Sequence, residues 1–272
     1  MTAAGILPLC APRSTALAGS VTQPGSTLGT SPGAPLAEGL YFTDTLDWGH
    51  RFSRDTTVNH PILIWSTPSS IVGARFQVIG EAAEAAIKLR NKNYEGDIYN
   101  PLLLGQLAWD LGNGFGVSYA LGAYFAVDNK VAYDSTSLNQ RLAVSYTGNG
   151  WNLTANAIYG HHFDKLTETA NPDFLNIDLT ITKKLGQWEV GPVAFGSADL
   201  TRPTPTYLKQ RQLAVGGLVG YDFGPVRAQV FATREVHERN YGGLDTRVWG
   251  RLTIPIWTAS TSRAVPEAVR ND

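Results

Sequence analysis

The sequence offers few residues of the kind that perform chemistry, and their spacing argues against an active site. His161 and His162 are adjacent, and neighbouring side chains of a strand point to opposite faces, so one metal ion cannot easily bind both. Asp55, His60 and Ser66 could be combined as a hydrolytic triad, but nothing around Ser66 resembles a nucleophile elbow. We therefore predict no catalytic residue, no metal site, no cofactor and no enzyme activity.

The composition excludes several classes of protein. The 272 residues include 22 Lys and Arg against 23 Asp and Glu, a net charge of −1, which gives no electrostatic reason to bind nucleic acid. No apolar run approaches the roughly 18 to 20 residues of a membrane helix. A single cysteine, Cys10, excludes an intrachain disulfide. Charged residues make up 17%, below the roughly 25% of ordinary soluble domains, so the surface is not that of a typical soluble protein.

From residue 39 onward, apolar and polar residues alternate with a period of two, most clearly in 141–146, 151–160, 175–182 and 212–223. This pattern is typical of strands with one apolar face. Glycine turns centred on residues 113, 149, 186 and 224 lie 36, 37 and 38 residues apart, with longer polar connections between them. Such a rhythm is typical of antiparallel neighbours in an up-and-down barrel.

The rhythm predicts twelve strands, with both ends of the barrel chain on the short-turn side. The third strand is rich in Ala and Glu and could instead be a short helix. The predicted strands are 39–52, 70–79, 83–90, 99–111, 114–127, 139–147, 151–163, 174–185, 188–200, 211–223, 226–236 and 246–257.

The apolar face is predicted to contact lipid and the polar face to line the interior. Strands of about 10 tilted residues match the ~30 Å hydrocarbon core, and in lipid only a closed barrel pairs every backbone group. We therefore predict an all-β fold, a closed antiparallel up-and-down transmembrane β-barrel of about twelve strands. A soluble lipocalin-like barrel is the alternative. Aromatic residues near strand ends resemble interfacial girdles: Trp48, Trp109, Tyr146, Trp151, Phe163, Trp188, Tyr221, Phe223 and Trp257.

The parity of each strand predicts which side chains line the channel. Arg outnumbers Asp among them, so a mildly anion-tolerant lining is one hypothesis, and structural ion pairs across the lumen are the other. The predicted lining residues are Arg75, Gln77, Gln106, Asp110, Arg141, Asn156, Asp178, Gln212, Arg227, Gln229, Arg247 and Arg251.

The predicted connection 53–69 is unusually apolar for an exposed loop. We expect it to fold over or into the mouth as an entry loop, with His60, Ile62, Ile64 and Trp65 at the entrance.

Residues 1–37 are rich in Pro, Gly, Ser, Thr and Ala and show no periodicity. They are predicted to form a flexible N-terminal segment, either a signal remnant or a segment that packs in the lumen. The predicted barrel spans residues 38–257, and residues 258–272 form a C-terminal tail.

Several stretches resemble the outer-membrane channel family known as the MetA-pathway of phenol degradation proteins, and the likeness runs through residues 36–257. The three longest stretches are 60–76, 95–109 and 233–257. Shorter matching features are Gly39-Leu40-Tyr41, Trp65 with Thr67 and Pro68, Gly96-Asp97 with Pro101, Arg234-Glu235 and Arg239-Asn240. The resemblance implies a monomeric barrel of the Gram-negative outer membrane that admits small aromatic or other hydrophobic compounds.

Together these observations predict a bacterial outer-membrane channel for diffusion-type uptake of small hydrophobic or aromatic solutes. Its expected partners are a small-molecule solute and outer-membrane lipid or lipopolysaccharide, with no nucleic acid, and a monomer is expected. Two alternatives stay open: a barrel-borne lipid-modifying enzyme, and a non-conducting structural or anchoring barrel.

Overall fold

The structure is a computed structural model that describes residues 19–52, 54–165 and 171–259. Within those ranges it contains fourteen strand segments and one short 3-10 turn, η1 (Gly148–Gly150). The strands are β1 (Gly39–Arg51), β2 (Arg54–Ile71), β3 (Ala74–Glu81), β4 (Glu84–Leu89), β5 (Tyr94–Ile98), β6 (Leu102–Gly112), β7 (Phe115–Tyr124), β8 (Ser135–Tyr146), β9 (Trp151–Lys165), β10 (Phe174–Leu185), β11 (Trp188–Asp199), β12 (Arg211–Asp222), β13 (Arg227–Arg239) and β14 (Asp245–Thr258).

The strands form one closed antiparallel barrel. β1 pairs with both β2 and β14, so the ring of strands closes on itself. β3 and β4 pair with successive parts of β2 and together form one interrupted wall strand. β6 pairs with β3 and β5 pairs with β4, so β5 and β6 together form the next interrupted wall strand. The barrel therefore has twelve wall strands, and the predicted fold class is confirmed.

Pro61 causes one of these interruptions because it has no backbone N–H. The Ala82 N–H donates to the Pro61 carbonyl at 3.3 Å, but Pro61 cannot donate in return. The ladder consequently breaks between Glu81, where β3 ends, and Glu84, where β4 begins.

The strand predictions are wrong in this sector. Residues 54–71 form β2, so the described part of the predicted connection 53–69 is wall and not loop. The predicted strands 70–79 and 83–90 are not neighbours, because residues 74–89 form one interrupted strand. The total of twelve still agrees, since one strand was missed and another was counted twice. The apolar run after Pro61 concealed the period-two alternation on which the prediction depended.

The two ends of the barrel differ in their connections. Five short turns, which include η1, lie at one end together with the start of β1 and the end of β14. In one of these turns, Asn113 has a φ of 53° between two glycines that are also left-handed, a conformation that Asn and Gly adopt at low cost. Longer connections, such as 125–134 and 200–210, lie at the other end. We call these the short-turn end and the loop end.

The outer and inner faces of the wall have opposite chemistry. Outward side chains such as Leu142, Leu179 and Leu252 are apolar and exposed, as expected for contact with lipid. Inward positions on the same strands carry mostly polar or small side chains that are buried, among them Asn139 and Asp178.

No helix among the described residues is long and apolar enough to cross a membrane.

Residues 19–38, which we call the lumen segment, lie inside the barrel. Val21 and Leu28 are both fully buried. Val21 belongs to an apolar cluster with Tyr99 and Phe174, and Leu28 belongs to a second cluster that contains Trp249. The segment thus occupies space that an open channel would leave to water. The domain boundaries at 37/38 and 257/258 stay predictions, because residues 1–18 and 260–272 lie outside the described residues.

Candidate channel lumen

The wall holds the lumen segment largely through the main chain of the segment. The Asp178 carboxylate of β10 accepts hydrogen bonds from the Gly25 N–H at 2.9 Å, the Thr27 N–H at 3.0 Å and the Thr27 hydroxyl at 2.7 Å. On the same strand, the Thr180 hydroxyl accepts from the Gly29 N–H at 2.9 Å. These buried acceptors satisfy N–H groups that have no strand partner.

Wall donors bind the carbonyls of the segment in the same way. Arg251 donates to the Leu28 carbonyl and, at 2.6 Å, to the Ser26 carbonyl. Gln229 donates to the Gly29 carbonyl at 3.0 Å. The Tyr99 hydroxyl donates to the Val21 carbonyl at 3.0 Å. Inward side chains of several strands therefore bind an irregular backbone that has no ladder of its own.

The structure buries most of the predicted lining residues and brings several into contact with the lumen segment. Asn156 donates to the Thr27 hydroxyl at 3.0 Å, and Gln106 donates to the Pro32 carbonyl at 3.4 Å. Asp110 differs, because it is exposed at a short turn, where it accepts from the Gly112 N–H at 2.9 Å. Gln77, Gln106, Asn156, Asp178, Gln212, Gln229, Arg247 and Arg251 are buried, and Arg75, Arg141 and Arg227 are half-buried.

Ion pairs link the charged side chains inside the barrel. Arg227 pairs with Glu189. Arg247 pairs with Asp47 and, at 2.9 Å, with Asp245. Acidic side chains thus pair with three of the five arginines of the predicted lining, namely Arg75, Arg227 and Arg247. Any selectivity for anions depends on the arginines that have no ion pair among the described residues.

A cavity of about 70 Å³ lies at the loop end, between the lumen segment and the ends of β1, β2, β12 and β14. Its lining includes the charged side chains of Arg51, Arg54, Arg247 and Asp245 and the rings of Tyr99 and Phe195. Sequence analysis missed Arg51, Arg54 and Tyr99. Parity along the predicted strand 39–52 identifies Arg51, and parity along β2 identifies Arg54 once residues 54–71 are recognised as a strand.

Two of the connections at the loop end are fastened by side-chain hydrogen bonds. The Asn100 amide donates to the carbonyls of Phe125 and Tyr133 at 2.8 and 2.7 Å, and so anchors the connection 125–134. The Tyr207 hydroxyl donates to the Asp199 carboxylate at 2.6 Å within the connection 200–210. Burial and this carboxylate raise the pKa of Tyr207. The tyrosine therefore stays protonated at neutral pH, and the loop keeps this hydrogen bond.

The four predicted entry residues lie in β2 and cannot fold over the mouth as a loop. His60 faces the interior, where its Nδ1 lies 2.7 Å from Glu81 Oε1. Ile62 and Ile64 are half-buried in the wall. Trp65 points outward and is 49% exposed, in position to contact lipid near the short-turn end. The prediction of an entry loop is therefore wrong in its structure, because the ladder with β1 holds this segment extended.

The residues considered for catalysis and metal binding are dispersed. Asp55 pairs with His50 at 2.6 Å and not with His60, and the Ser66 hydroxyl donates to the Leu36 carbonyl at 3.0 Å. His161 is exposed while His162 is buried. The described residues contain no group of three or more His, Cys, Asp or Glu side chains that could hold a metal ion.

Comparisons with known proteins agree with this architecture. A family model described as "Putative MetA-pathway of phenol degradation" matches residues 26–252. The COG4313 outer membrane channel from Pseudomonas putida F1 is similar with a TM-score of 0.63 and 12% identity, over 86% of this chain and 99% of that one. The β domain of the Bordetella autotransporter BrkA is similar with a TM-score of 0.50 and 12% identity, over 81% of this chain and 100% of that one. No curated protein matches the chain.

Proposed function

The chain belongs to the putative MetA-pathway of phenol degradation family, and from that premise we propose that it is a channel for diffusion-type uptake of small hydrophobic or aromatic solutes. The outer-membrane location predicted from the sequence is confirmed by the closed barrel and by its structural likeness to outer-membrane proteins. The monomeric state, the contact with lipopolysaccharide and the lining role of the inward residues belong to the proposal.

The observation that carries the proposal is a polar interior inside an apolar wall. A barrel that served only as an anchor would need no buried Gln, Asn, Asp and Arg on every side of its lumen, because polar groups that lose water cost free energy. A channel needs these groups to replace the hydration of a passing solute with weak contacts.

The lumen segment represents the closed state in this proposal. Its contacts with the wall are mainly hydrogen bonds, for which water can substitute when the segment moves. Solute enters at the loop end, passes the inward polar side chains as the segment yields, and leaves at the short-turn end. Weak binding along this path favours flux, since a tight site would hold the solute.

A non-conducting barrel is the second candidate, and the filled lumen favours it. In that alternative the lumen segment is a permanent structural core, with Val21 and Leu28 as its apolar anchors. The two candidates predict opposite behaviour in a lipid bilayer.

Planar-bilayer recording of the full chain, combined with uptake of radiolabelled toluene and phenol by proteoliposomes, tests the proposal. The channel predicts discrete unitary currents and an uptake faster than that of protein-free liposomes. An absence of unitary currents, together with uptake at the rate of protein-free liposomes, would contradict the channel and favour the structural barrel.

A further inference from the structure

Two arginines face each other at the loop end of the lumen. Arg51 and Arg54 occupy directly opposite positions on β1 and β2, and both line the loop-end cavity. Like charges in opposite positions of a strand pair repel each other and destabilise the pair unless each finds a counter-charge.

Among the described residues, Arg51 makes an ion pair and Arg54 makes none, although the Asp245 carboxylate is near enough to attract the charge of Arg54. Arg51 donates to Glu235 and, at 2.6 Å, to the Gly243 carbonyl. In contrast, no side chain or carbonyl among the described residues accepts a hydrogen bond from the Arg54 guanidinium, nor does any described carboxylate lie within ion-pair distance of it. A guanidinium with five donors is thus available to an incoming acceptor.

The carboxylates around the cavity are engaged by other cations. Asp47 and Asp245 both pair with Arg247, and Glu235 pairs with Arg51. Asp245 retains one oxygen without a hydrogen bond, so a turn of Arg54 toward Asp245 is the competing arrangement, which needs no ligand.

The cavity also has apolar lining. Val58, Tyr99 and Phe195 contribute to it, and all three are buried. A cavity of about 70 Å³ holds roughly five to seven waters at about 10 to 15 Å³ each, which is space for a carboxylate group and the ring attached to it. An arginine fork matches the geometry of a carboxylate, and apolar walls favour an organic anion over a free inorganic one.

We propose that Arg54 forms a carboxylate-binding subsite at the outer mouth, which selects small aromatic carboxylates over their neutral analogues. This inference rests on the proposed function, because it assumes that solutes enter at this end. The carboxylate binds Arg54, the ring lies against Tyr99 and Phe195, and Arg51 stays occupied by Glu235.

Fluorine NMR of the full chain in detergent tests the subsite, with 4-fluorobenzoate as the probe, 4-fluorobenzamide as its neutral counterpart and inorganic phosphate as a competitor. We expect 4-fluorobenzoate to bind about tenfold more tightly than the amide and Arg54→Gln to abolish that preference. Arg54→Lys should retain part of it. Arg90→Gln, an exposed arginine at the rim, is the matched control and should leave the preference unchanged. Folding of each variant is checked by its heat-modifiable mobility.

Equal binding of benzoate and benzamide by the unmodified chain would overturn the subsite without any variant. A preference that survives Arg54→Gln would also overturn it, as would complete displacement of benzoate by equimolar phosphate. Uptake into proteoliposomes separates the two proposals. If toluene enters but benzoate has no advantage, only the subsite fails, whereas failure of every solute to enter contradicts the channel itself.

Discussion

The barrel wall and the lumen segment use their backbones in opposite ways. In the wall, main-chain groups pair with main-chain groups of the next strand, so the ladder tolerates any side chain that suits its face. In the lumen segment, main-chain groups pair with wall side chains, and Asp178 alone accepts from both Gly25 and Thr27. The position of the segment is therefore encoded mainly in the wall, and individual wall side chains control it.

Removal of the lumen segment is the strongest way to separate these two regions. A chain lacking residues 19–36 should still form the barrel, because water can solvate the inward side chains, while unitary conductance rises by about an order of magnitude. Planar-bilayer recording measures the change. A deletion variant that folds but conducts no better than the full chain would show that the segment does not close the lumen.

A charge on the lipid face should damage the wall and spare the segment. Leu179 lies midway along β10 and is exposed, so Leu179→Arg is expected to lower the free energy of unfolding by about 2 to 4 kcal/mol. Urea unfolding in lipid vesicles measures this value. Leu179→Met is the control, with little change expected. If Leu179→Arg is as stable as the unmodified chain, the outward face does not contact hydrocarbon.

Substitution of the neighbouring inward residue, Asp178, should release the lumen segment and leave the wall stable. Asp178→Ala removes three hydrogen bonds from the segment and should weaken its seating by about 2 kcal/mol, which raises the released population by about thirtyfold. The readout is thiol labelling of Ser26→Cys in a Cys10→Ser background, which keeps all three bonds to Asp178 in the reference chain. Asp128→Ala, at an exposed loop position, is the control. If Asp178→Ala is labelled as slowly as the control, wall side chains do not hold the lumen segment in place.

A single hydrogen bond should have the smallest effect. Tyr99→Phe leaves the ring in place and removes only the bond to the Val21 carbonyl, at a cost of about 1 kcal/mol. The same labelling assay should place this variant between the unmodified chain and Asp178→Ala. If Tyr99→Phe increases the labelling rate more than Asp178→Ala does, the lumen segment is anchored chiefly near Val21.

The same contrast explains which features could be predicted from sequence. From β7 to β14 the strands alternate over most of their length, and their predicted bounds lie within a few residues of those observed. Prediction failed at β2, where Ile62 and Ile64 make inward positions as apolar as the outward Leu63 and Trp65, so that no period of two remains. Pro61 added a second false signal for a loop.

The site was less predictable than the fold for a related reason. Parity identified inward side chains such as Gln77 and Asp178, but it could not assign Arg54, which lay in the misread connection. A place in the lumen could be predicted only as one of two alternatives for residues 1–37, because most contacts of the lumen segment are made by main-chain groups that are the same in any sequence.

The long-range pairing of the lumen segment also sets an order of assembly. Arg251 binds the Leu28 carbonyl across 223 residues of sequence, so the first described residues of the chain meet partners that are synthesised near its end. Those partners come together only when β14 docks beside β1 and the ring closes. If the segment is buried before that moment, it lacks the hydrogen bonds from Arg251 to the Leu28 and Ser26 carbonyls. If it is buried afterwards, it must thread through the short-turn end. Maturation of this protein should consequently be limited by closure of the last seam, with the segment carried in by the first strand as the barrel shuts.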